Sequence, residues 1–217
     1  MELVVEDLTV TRGGRVILSD LSFTCAAGQA VVLRGPNGIG KTSLLRVLAG
    51  FASAPAGRVT FGGESLDAAD GLQEYMAYVG HQDGIKAALS LAENLAFWAE
   101  VYGSGRASHA ALDAFGLADQ ADRLGANCSA GQRRRAGLAR VLVSGRPIWL
   151  LDEPTVSLDQ ASRKALGAAL QDHLDGGGLA ILATHDNDIV ANPQTLTLAA
   201  ARPGAQAIDP FLDAGFA

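Results

Sequence analysis

The sequence of 217 residues predicts an α/β fold built around one large core. Three observations support it. An apolar strand at 30–33, a glycine-rich loop at 35–42 and an amphipathic helix at 43–49 follow one another directly. Helical periodicity then dominates residues 84–145. The last third of the chain returns to strand–helix–strand order, which is typical of a sheet covered by helices.

Composition sets the class of protein before any motif is considered. Hydrophobic residues make up 48% of the chain and charged residues 18%, which is enough apolar surface for a sizeable core. The net charge of −6 argues against binding to nucleic acid or to an anionic membrane surface. The sequence lacks a C-x-x-C pair, so a zinc site or a disulfide framework is not expected. Neither a signal peptide nor an apolar run of 18 residues is present, so we expect a soluble protein in a reducing, cytosolic setting.

The order of elements follows from local patterns. Five strand-like runs are predicted to form antiparallel strands around the loop, at 3–5, 8–10, 16–18, 21–23 and 58–61. A further β-rich run covers 75–79. Helices are predicted over about 91–102, 108–115, 133–143 and 161–174, and later strands over 148–151, 179–183 and 195–198.

These elements predict a single domain with an insertion. The catalytic α/β core is expected to comprise residues 1–83 and 146–200, with a helical subdomain at 84–145. Residues 201–217 contain two prolines and three charges, and they are expected to form a short docked or frayed tail.

The loop carries the strongest functional signal. Its sequence is Gly35-Pro36-Asn37-Gly38-Ile39-Gly40-Lys41-Thr42, which fits the pattern G-x-x-x-x-G-K-[ST]. Backbone N–H groups in such a loop surround nucleotide phosphates, and the following helix, beginning at Ser43, directs its dipole to the same point. Lys41 would reach the β- and γ-phosphates of the nucleotide, and the Thr42 hydroxyl would bind Mg²⁺. The alternative is a glycine-rich turn that matches the pattern by chance.

Two adjacent acids follow the apolar strand at 148–151. A buried carboxylate is costly unless a cation or hydrogen bonds compensate it, so Asp152 is expected near the Mg²⁺ of Thr42. Glu153 would accept a proton from the water that attacks the γ-phosphate, or orient that water. The alternative is a helix cap or a turn acid preceding Pro154.

A second phosphate-binding segment is predicted before the helix at 133–143. Ser129 precedes the helix as a capping serine would, and Gly131 and Gln132 follow it closely. A hydroxyl, a flexible glycine and helix N–H groups can bind a phosphate. The alternative is a helix start with Ser129 acting only as its N-cap.

Taken in order, these motifs resemble the ATP-binding subunits of ABC transporters, whose signature is close to L-S-G-G-Q. The resemblance covers about residues 3–200 and implies the P-loop NTPase fold of the ABC ATPases, with an N-terminal antiparallel β subdomain and an inserted helical subdomain. It further implies that Gln82 contacts Mg²⁺ and links the site to a membrane subunit. It implies that His185 contacts the γ-phosphate and that 157–159 form the D-loop. Arg133, Arg134 and Arg135 are then interpreted as the polar end of the signature helix.

Two positions depart from the family pattern. Cys128 stands where the family usually has leucine, and because both side chains are apolar we expect little effect. The family often has an aromatic residue near position 12 that stacks on adenine, whereas this chain has Arg12. A guanidinium plane can also stack on a base, so Arg12 is a hypothetical substitute, and a solvated charge at a strand end is the alternative.

The resemblance also implies a mechanism. One copy of the chain would hold ATP and Mg²⁺ through Lys41, Thr42, Gln82, Asp152 and Glu153, and a second copy would close over the γ-phosphate with Ser129 and Gly131. ATP binding would join the two copies, and hydrolysis would release them. The resulting motion would act on membrane-embedded partners.

Local detail resembles the ATPases of cytochrome c maturation in particular. The segments 80–86, 91–95 and 152–159 carry this resemblance, together with the compact length. It implies a peripheral subunit on the cytoplasmic face of the inner membrane. Its partner would be a multispanning CcmB-like subunit of a haem exporter, with CcmC-like and CcmD-like subunits as further candidates. The alternatives are an ABC ATPase for another transported substrate and a soluble ABC ATPase outside transport.

Overall fold

The computed structural model describes residues 1–66, 72–186 and 188–201. The strands within these ranges are β1 (Glu2–Arg12), β2 (Arg15–Ala26), β3 (Ala30–Arg34), β4 (Ala56–Phe61), β5 (Glu64–Ser65), β6 (Met76–Val79), β7 (Ile148–Asp152), β8 (Leu179–Ala183) and β9 (Gln194–Thr197). The helices are α1 (Lys41–Leu48), α2 (Leu72–Tyr75), α3 (Leu91–Val101), α4 (Ser108–Ala114), α5 (Ala130–Ser144) and α6 (Gln160–Asp175).

A parallel sheet with the order β6-β7-β8-β3-β9 forms the centre of the molecule. Successive side chains of a strand point to opposite faces, so each central strand supplies two cores. In β7, Ile148 and Leu150 pack on the side of the antiparallel sheet, while Trp149 and Leu151 pack on the helical side. Burial on both faces explains why β3, β7 and β8 are almost continuously apolar.

The second sheet is antiparallel, with the order β2-β1-β4-β5. Here the structure corrects the prediction, because the separate runs at 3–5 and 8–10 form one strand of 11 residues. Asp7 has a φ of 48°, and the register between β1 and β2 shifts between Val5 and Leu8. This bulge takes up the irregular residues without ending the strand. β2 is likewise a single strand of 12 residues and has Asp20 at a φ of 54°.

The helices α3, α4 and α5 pack on one another on the other side of the parallel sheet. α5 begins at Ala130, three residues earlier than predicted, because Ser129 and Gln132 form a reciprocal capping box. β9 is an edge strand of the parallel sheet, at the opposite side from β6, and it pairs with β3. Beyond β9, the N–H of Leu198 donates to the carbonyl of Arg34 at 2.8 Å.

The predicted α/β class, with an antiparallel sheet beside a helix-covered parallel sheet, is confirmed. The division into a core and a helical subdomain at residues 84 and 145 stays a prediction. The predicted tail lies outside the described residues from position 202 onward.

Candidate nucleotide-binding site

The predicted phosphate loop connects the end of β3 to the start of α1. Gly40 is the N-cap of α1 and supplies no side-chain acceptor, so the first turn of the helix depends on other acceptors for its N–H groups. A bound anion can satisfy them. Gly35 has a φ of 147°, and a Cβ there would lie 3.1 Å from Ile39 and 3.3 Å from the carbonyl oxygen of Leu198. These tight contacts and the positive φ both disfavour a larger residue at position 35.

The Lys41 side chain folds back along the inside of the loop. Its Nζ donates to the carbonyl of Gly35 at 2.8 Å and to that of Pro36 at 3.4 Å, and the residue is buried. The next loop residues, Asn37 and Gly38, are exposed. The ammonium group is thus held at the centre of the loop, where a phosphate chain would be surrounded by its N–H groups.

Asp152 is buried at the end of β7 and receives two hydroxyl groups. Thr42 donates to its Oδ1 at 3.1 Å, and Tyr78 donates to its Oδ2 at 3.4 Å. Burial and the nearby Asp152 raise the pKa of Tyr78 to about 12, so its hydroxyl keeps its proton. In the part of the chain that the structure describes, no basic side chain forms an ion pair with Asp152.

This donor set fits Mg²⁺. The cation prefers oxygen ligands, and in nucleotide sites it binds through one or two carboxylates together with substrate phosphates. Asp152 and Thr42 supply one carboxylate and one hydroxyl oxygen side by side. The described residues contain no cluster of three or more His, Cys, Asp or Glu side chains.

Glu153 and His185 meet beyond the ends of β7 and β8. His185 Nε2 lies 3.5 Å from Glu153 Oε1, and the imidazole is mostly exposed. Glu153 has a φ of 47°, which is unusual for a residue with a side chain. Its N–H donates to the carbonyl of Ala183 at 2.7 Å, so the turn is anchored to β8.

Gln82 is exposed on the loop that follows β6. It shares the lining of an open cavity of about 770 Å³ with Thr42 and Asp152. Two exposed apolar side chains, Phe51 and Val101, line the same cavity. Gln82 thus lines the same cavity as Thr42 and Asp152 and also borders an apolar surface, and its contact with Mg²⁺ stays a prediction.

The predicted second phosphate-binding segment lies at the start of α5. The Ser129 Oγ accepts from the N–H of Gln132 at 3.2 Å, and both Ser129 and Gly131 are accessible to solvent. The Gln132 side chain is engaged within the chain, since it accepts from the Ser129 N–H and donates to Gln120. Cys128 is buried, as expected for a position usually occupied by leucine. The segment can therefore meet a second molecule through Ser129 and Gly131.

Arg12 is exposed where β1 turns into β2, and it is paired with Arg15 across the hairpin. The start of β2 lies against the phosphate loop, because a Cβ on Gly40 would be 3.1 Å from Ile17 and 3.3 Å from Leu18. The end of the hairpin thus borders the phosphate loop, and the Arg12 side chain there is exposed. A stacking role for Arg12 stays a prediction.

Two side chains near the site were not identified from the sequence. The sequence indicates only a β-rich run around Tyr78, and the contact of Tyr78 with Asp152 depends on the register between β6 and β7. Arg134 was interpreted as part of a polar helix end, and that interpretation is wrong because the residue is buried. The signal was its spacing from Leu138 and Val141 on the buried face of α5.

Comparison with known proteins identifies the family. A family model described as ABC transporter matches residues 18–156, which include the phosphate loop, Gln82, the start of α5 and Glu153. The chain belongs to the ABC transporter family. Membership makes it an ATP-binding, transport-coupled ATPase.

Bacterial relatives indicate which group of ABC ATPases the chain resembles. The cytochrome c biogenesis ATP-binding export protein CcmA of Ruegeria pomeroyi is 52% identical over 185 residues, which cover 85% of each chain. The protein of the same name from Roseobacter denitrificans is 47% identical over 216 residues and covers 100% of both chains. These identities place the chain with the CcmA proteins, as the resemblance predicted.

Solved structures share the fold. An ABC transporter ATP-binding protein from Pyrococcus furiosus superposes with a TM-score of 0.78 at 22% identity, over 91% of this chain and 98% of that one. A bacterial Atm1-family ABC exporter, solved with ATP bound, gives a TM-score of 0.78 at 26% identity over 91% of this chain and 37% of the exporter. Within the described ranges of our chain, each helix is too short or too polar to span a bilayer.

Proposed function

We propose that this ABC ATPase couples ATP binding and hydrolysis to haem export, or to release of a haem chaperone, in cytochrome c maturation. The observation that supports the nucleotide chemistry is that α1, the end of β7 and the segment after β8 meet at the carboxyl end of the parallel sheet. Thr42 and Asp152 lie 3.1 Å apart, and Glu153 and His185 lie 3.5 Å apart. The haem-related role rests on the relatives, which are cytochrome c biogenesis export proteins.

ATP would bind along the phosphate loop, with residues 35–43 surrounding its phosphates. The Lys41 Nζ, now bonded to the loop carbonyls, would donate to the β- and γ-phosphate oxygens. Thr42, Asp152 and Gln82 are the residues that would hold Mg²⁺, which when bound neutralises charge on the phosphates. Glu153 would accept the proton of the attacking water, and His185 would donate to the γ-phosphate.

A second copy would complete each site. A hydroxyl group has one donor and two acceptor positions. Because the Ser129 oxygen accepts from Gln132 within α5, its O–H stays available for a phosphate oxygen of the facing copy. The accessible Gly131 backbone lies beside it. We therefore propose an ATP-bound dimer in which each copy covers the nucleotide of the other.

The membrane partner would dock at the cavity beside Gln82, where Phe51 and Val101 are more than half exposed. We propose that this partner is the multispanning CcmB-like subunit, joined by CcmC-like and CcmD-like subunits. The chain would then lie peripherally on the cytoplasmic face of the inner membrane. Its net charge of −6 fits a protein contact better than binding to nucleic acid.

The function can be tested by complementation. In a bacterium lacking its own CcmA, we expect this chain to restore c-type cytochromes with covalently bound haem, measured by haem staining of membrane proteins. The purified complex should release phosphate from ATP, and EDTA should abolish that release because Mg²⁺ is removed. ATP turnover without restored cytochromes would instead indicate another transported substrate.

Arg12→Ala tests the proposed base contact. A guanidinium over a base contributes about 0.5–1 kcal/mol at an exposed site, so we expect the KM for ATP to rise about two- to five-fold. The preference for ATP over GTP should weaken, as measured by kcat/KM for both nucleotides. Arg15→Ala, which removes the arginine across the hairpin, is the control. Equal losses for ATP and GTP would contradict a stacking role.

A further inference from the structure

The Arg134 guanidinium connects three parts of the chain. It is buried in α5, with 6% of its surface exposed. Its Nη2 donates to the backbone carbonyl of Glu153 at 2.9 Å. Its Nη1 donates to the carbonyl of Gly80 at 2.7 Å and lies 3.4 Å from Asp83 Oδ1. A planar guanidinium is suited to such multiple, directed hydrogen bonds.

The first of these contacts fixes a strained residue. Glu153 lies in the left-handed region, with a φ of 47°. Such a conformation persists only where surrounding contacts determine it. The Glu153 N–H is held by the carbonyl of Ala183, and the Glu153 carbonyl is held by Arg134. The Glu153 carbonyl also accepts from the N–H of Val156 at 3.3 Å, so Arg134 supplies one of the three hydrogen bonds that hold the Glu153 backbone and thereby orient its carboxylate.

The other contacts hold the loop that carries Gln82. Gly80 and Asp83 flank Gln82 in sequence, and both bond to Arg134. One turn further along α5, a Cβ on Gly137 would lie 2.8 Å from the carbonyl oxygen of Asp83. The helix and the loop are thus packed backbone to backbone, and a shift of one must be followed by the other.

We propose that Arg134 is a positioning residue for the ATPase reaction, which ties the orientation of Glu153 to α5 and to the Gln82 loop. The inference rests on the proposed role of Glu153 toward the attacking water. It makes the catalytic carboxylate sensitive to any movement of α5 or of the loop at the partner cavity. Arg134 itself would contact neither the nucleotide nor the attacking water.

The test compares Arg134→Met and Arg134→Lys with the wild-type full-length chain. Misplacement of a catalytic group by about 1 Å costs about 100-fold in rate, so we expect kcat to fall about 100-fold in Arg134→Met and about 10-fold in Arg134→Lys. The lysine variant keeps the charge and one donor nitrogen but not the planar fork that reaches two partners at once. The KM for ATP should stay within about two-fold, because Arg134 lies outside the phosphate loop. Rates are expressed per mole of bound ATP, so that unfolded protein does not contribute.

A second readout does not depend on turnover. Without nucleotide, hydrogen exchange at the backbone amides of 153 and 155–158 should be faster in Arg134→Met than in wild type, measured by mass spectrometry. Arg106→Met is the control, because its guanidinium also donates to a backbone carbonyl, that of Leu142, on the exposed surface. It should match wild type in both measurements.

The outcomes separate this inference from the proposed function. Unchanged kcat together with unchanged exchange at 153–158 would overturn the role of Arg134. A change in KM as large as the change in kcat would also overturn it. If the wild-type chain bound ATP but released no phosphate, the proposed function would fail, and the exchange measurement would still decide whether Arg134 orders the Glu153 turn.

Discussion

Glu153→Gln is expected to lower ATP turnover by about three orders of magnitude, within the range of about 10²–10⁴ for loss of a general base. The amide keeps the size of the side chain but cannot accept the proton of the attacking water. The contacts made by Lys41 and Thr42 do not involve this carboxylate, so ATP should still bind. The variant should therefore accumulate as an ATP-bound dimer. Phosphate release and light scattering after gel filtration with ATP measure the two effects.

The control is Glu100→Gln, an exposed glutamate in α3. This substitution removes the same charge in α3, away from the end of β7 where Glu153 lies, and it should leave turnover and oligomeric state unchanged. A Glu153→Gln chain that stays monomeric with ATP, or that hydrolyses it at the wild-type rate, would contradict both the catalytic assignment and the two-copy site.

Lys41→Ala is expected to weaken ATP binding strongly. A hydrogen bond to a charged group contributes about 1.5–3 kcal/mol, so loss of the lysine should weaken ATP binding by about 10- to 100-fold. The loop should also lose order, because the Nζ bonds to the carbonyls of Gly35 and Pro36 close it. Isothermal titration calorimetry measures the affinity, and circular dichroism shows whether the chain is folded.

Lys164→Ala is the matched control, since Lys164 is exposed on α6. It should bind ATP with wild-type affinity. Lys41→Arg adds a further comparison, because it retains the charge but not the compact ammonium group that fits inside the loop. ATP affinity equal to wild type in Lys41→Ala would show that the nucleotide binds elsewhere.

The sequence could predict the position of residues that is determined by their immediate neighbours in the chain. The phosphate loop follows a short apolar strand and precedes a helix, so its spacing alone places Lys41 and Thr42. Asp152 and Glu153 were predicted for the same reason, at the end of an apolar strand. Ser129 and Gln132 carry a complete capping-box pattern, which would have set the start of α5 at Ala130 rather than Arg133.

What could not be predicted depends on tertiary contacts. The partners of Arg134 are separated from it by 54 and 19 residues in the sequence, and nothing near them signals the contact. The continuity of β1 depends on a bulge at Asp7, whose N–H bonds to Ser22 on the neighbouring strand. Such features become visible only when the strand register is known.

The pairing of β9 with β3 has a practical consequence for anyone shortening this protein. β9 covers the edge of β3, the strand that leads into the phosphate loop. The N–H of Leu198 donates to the carbonyl of Arg34, and the Leu198 carbonyl oxygen lies close to Gly35. A C-terminal deletion that removes positions 194–198 would expose the edge of β3. The phosphate loop that follows β3 would then lose the support of its neighbouring strand. The N–H of Ala201 also donates to the carbonyl of Ile17 at 3.0 Å, so truncated forms should keep the chain through residue 201.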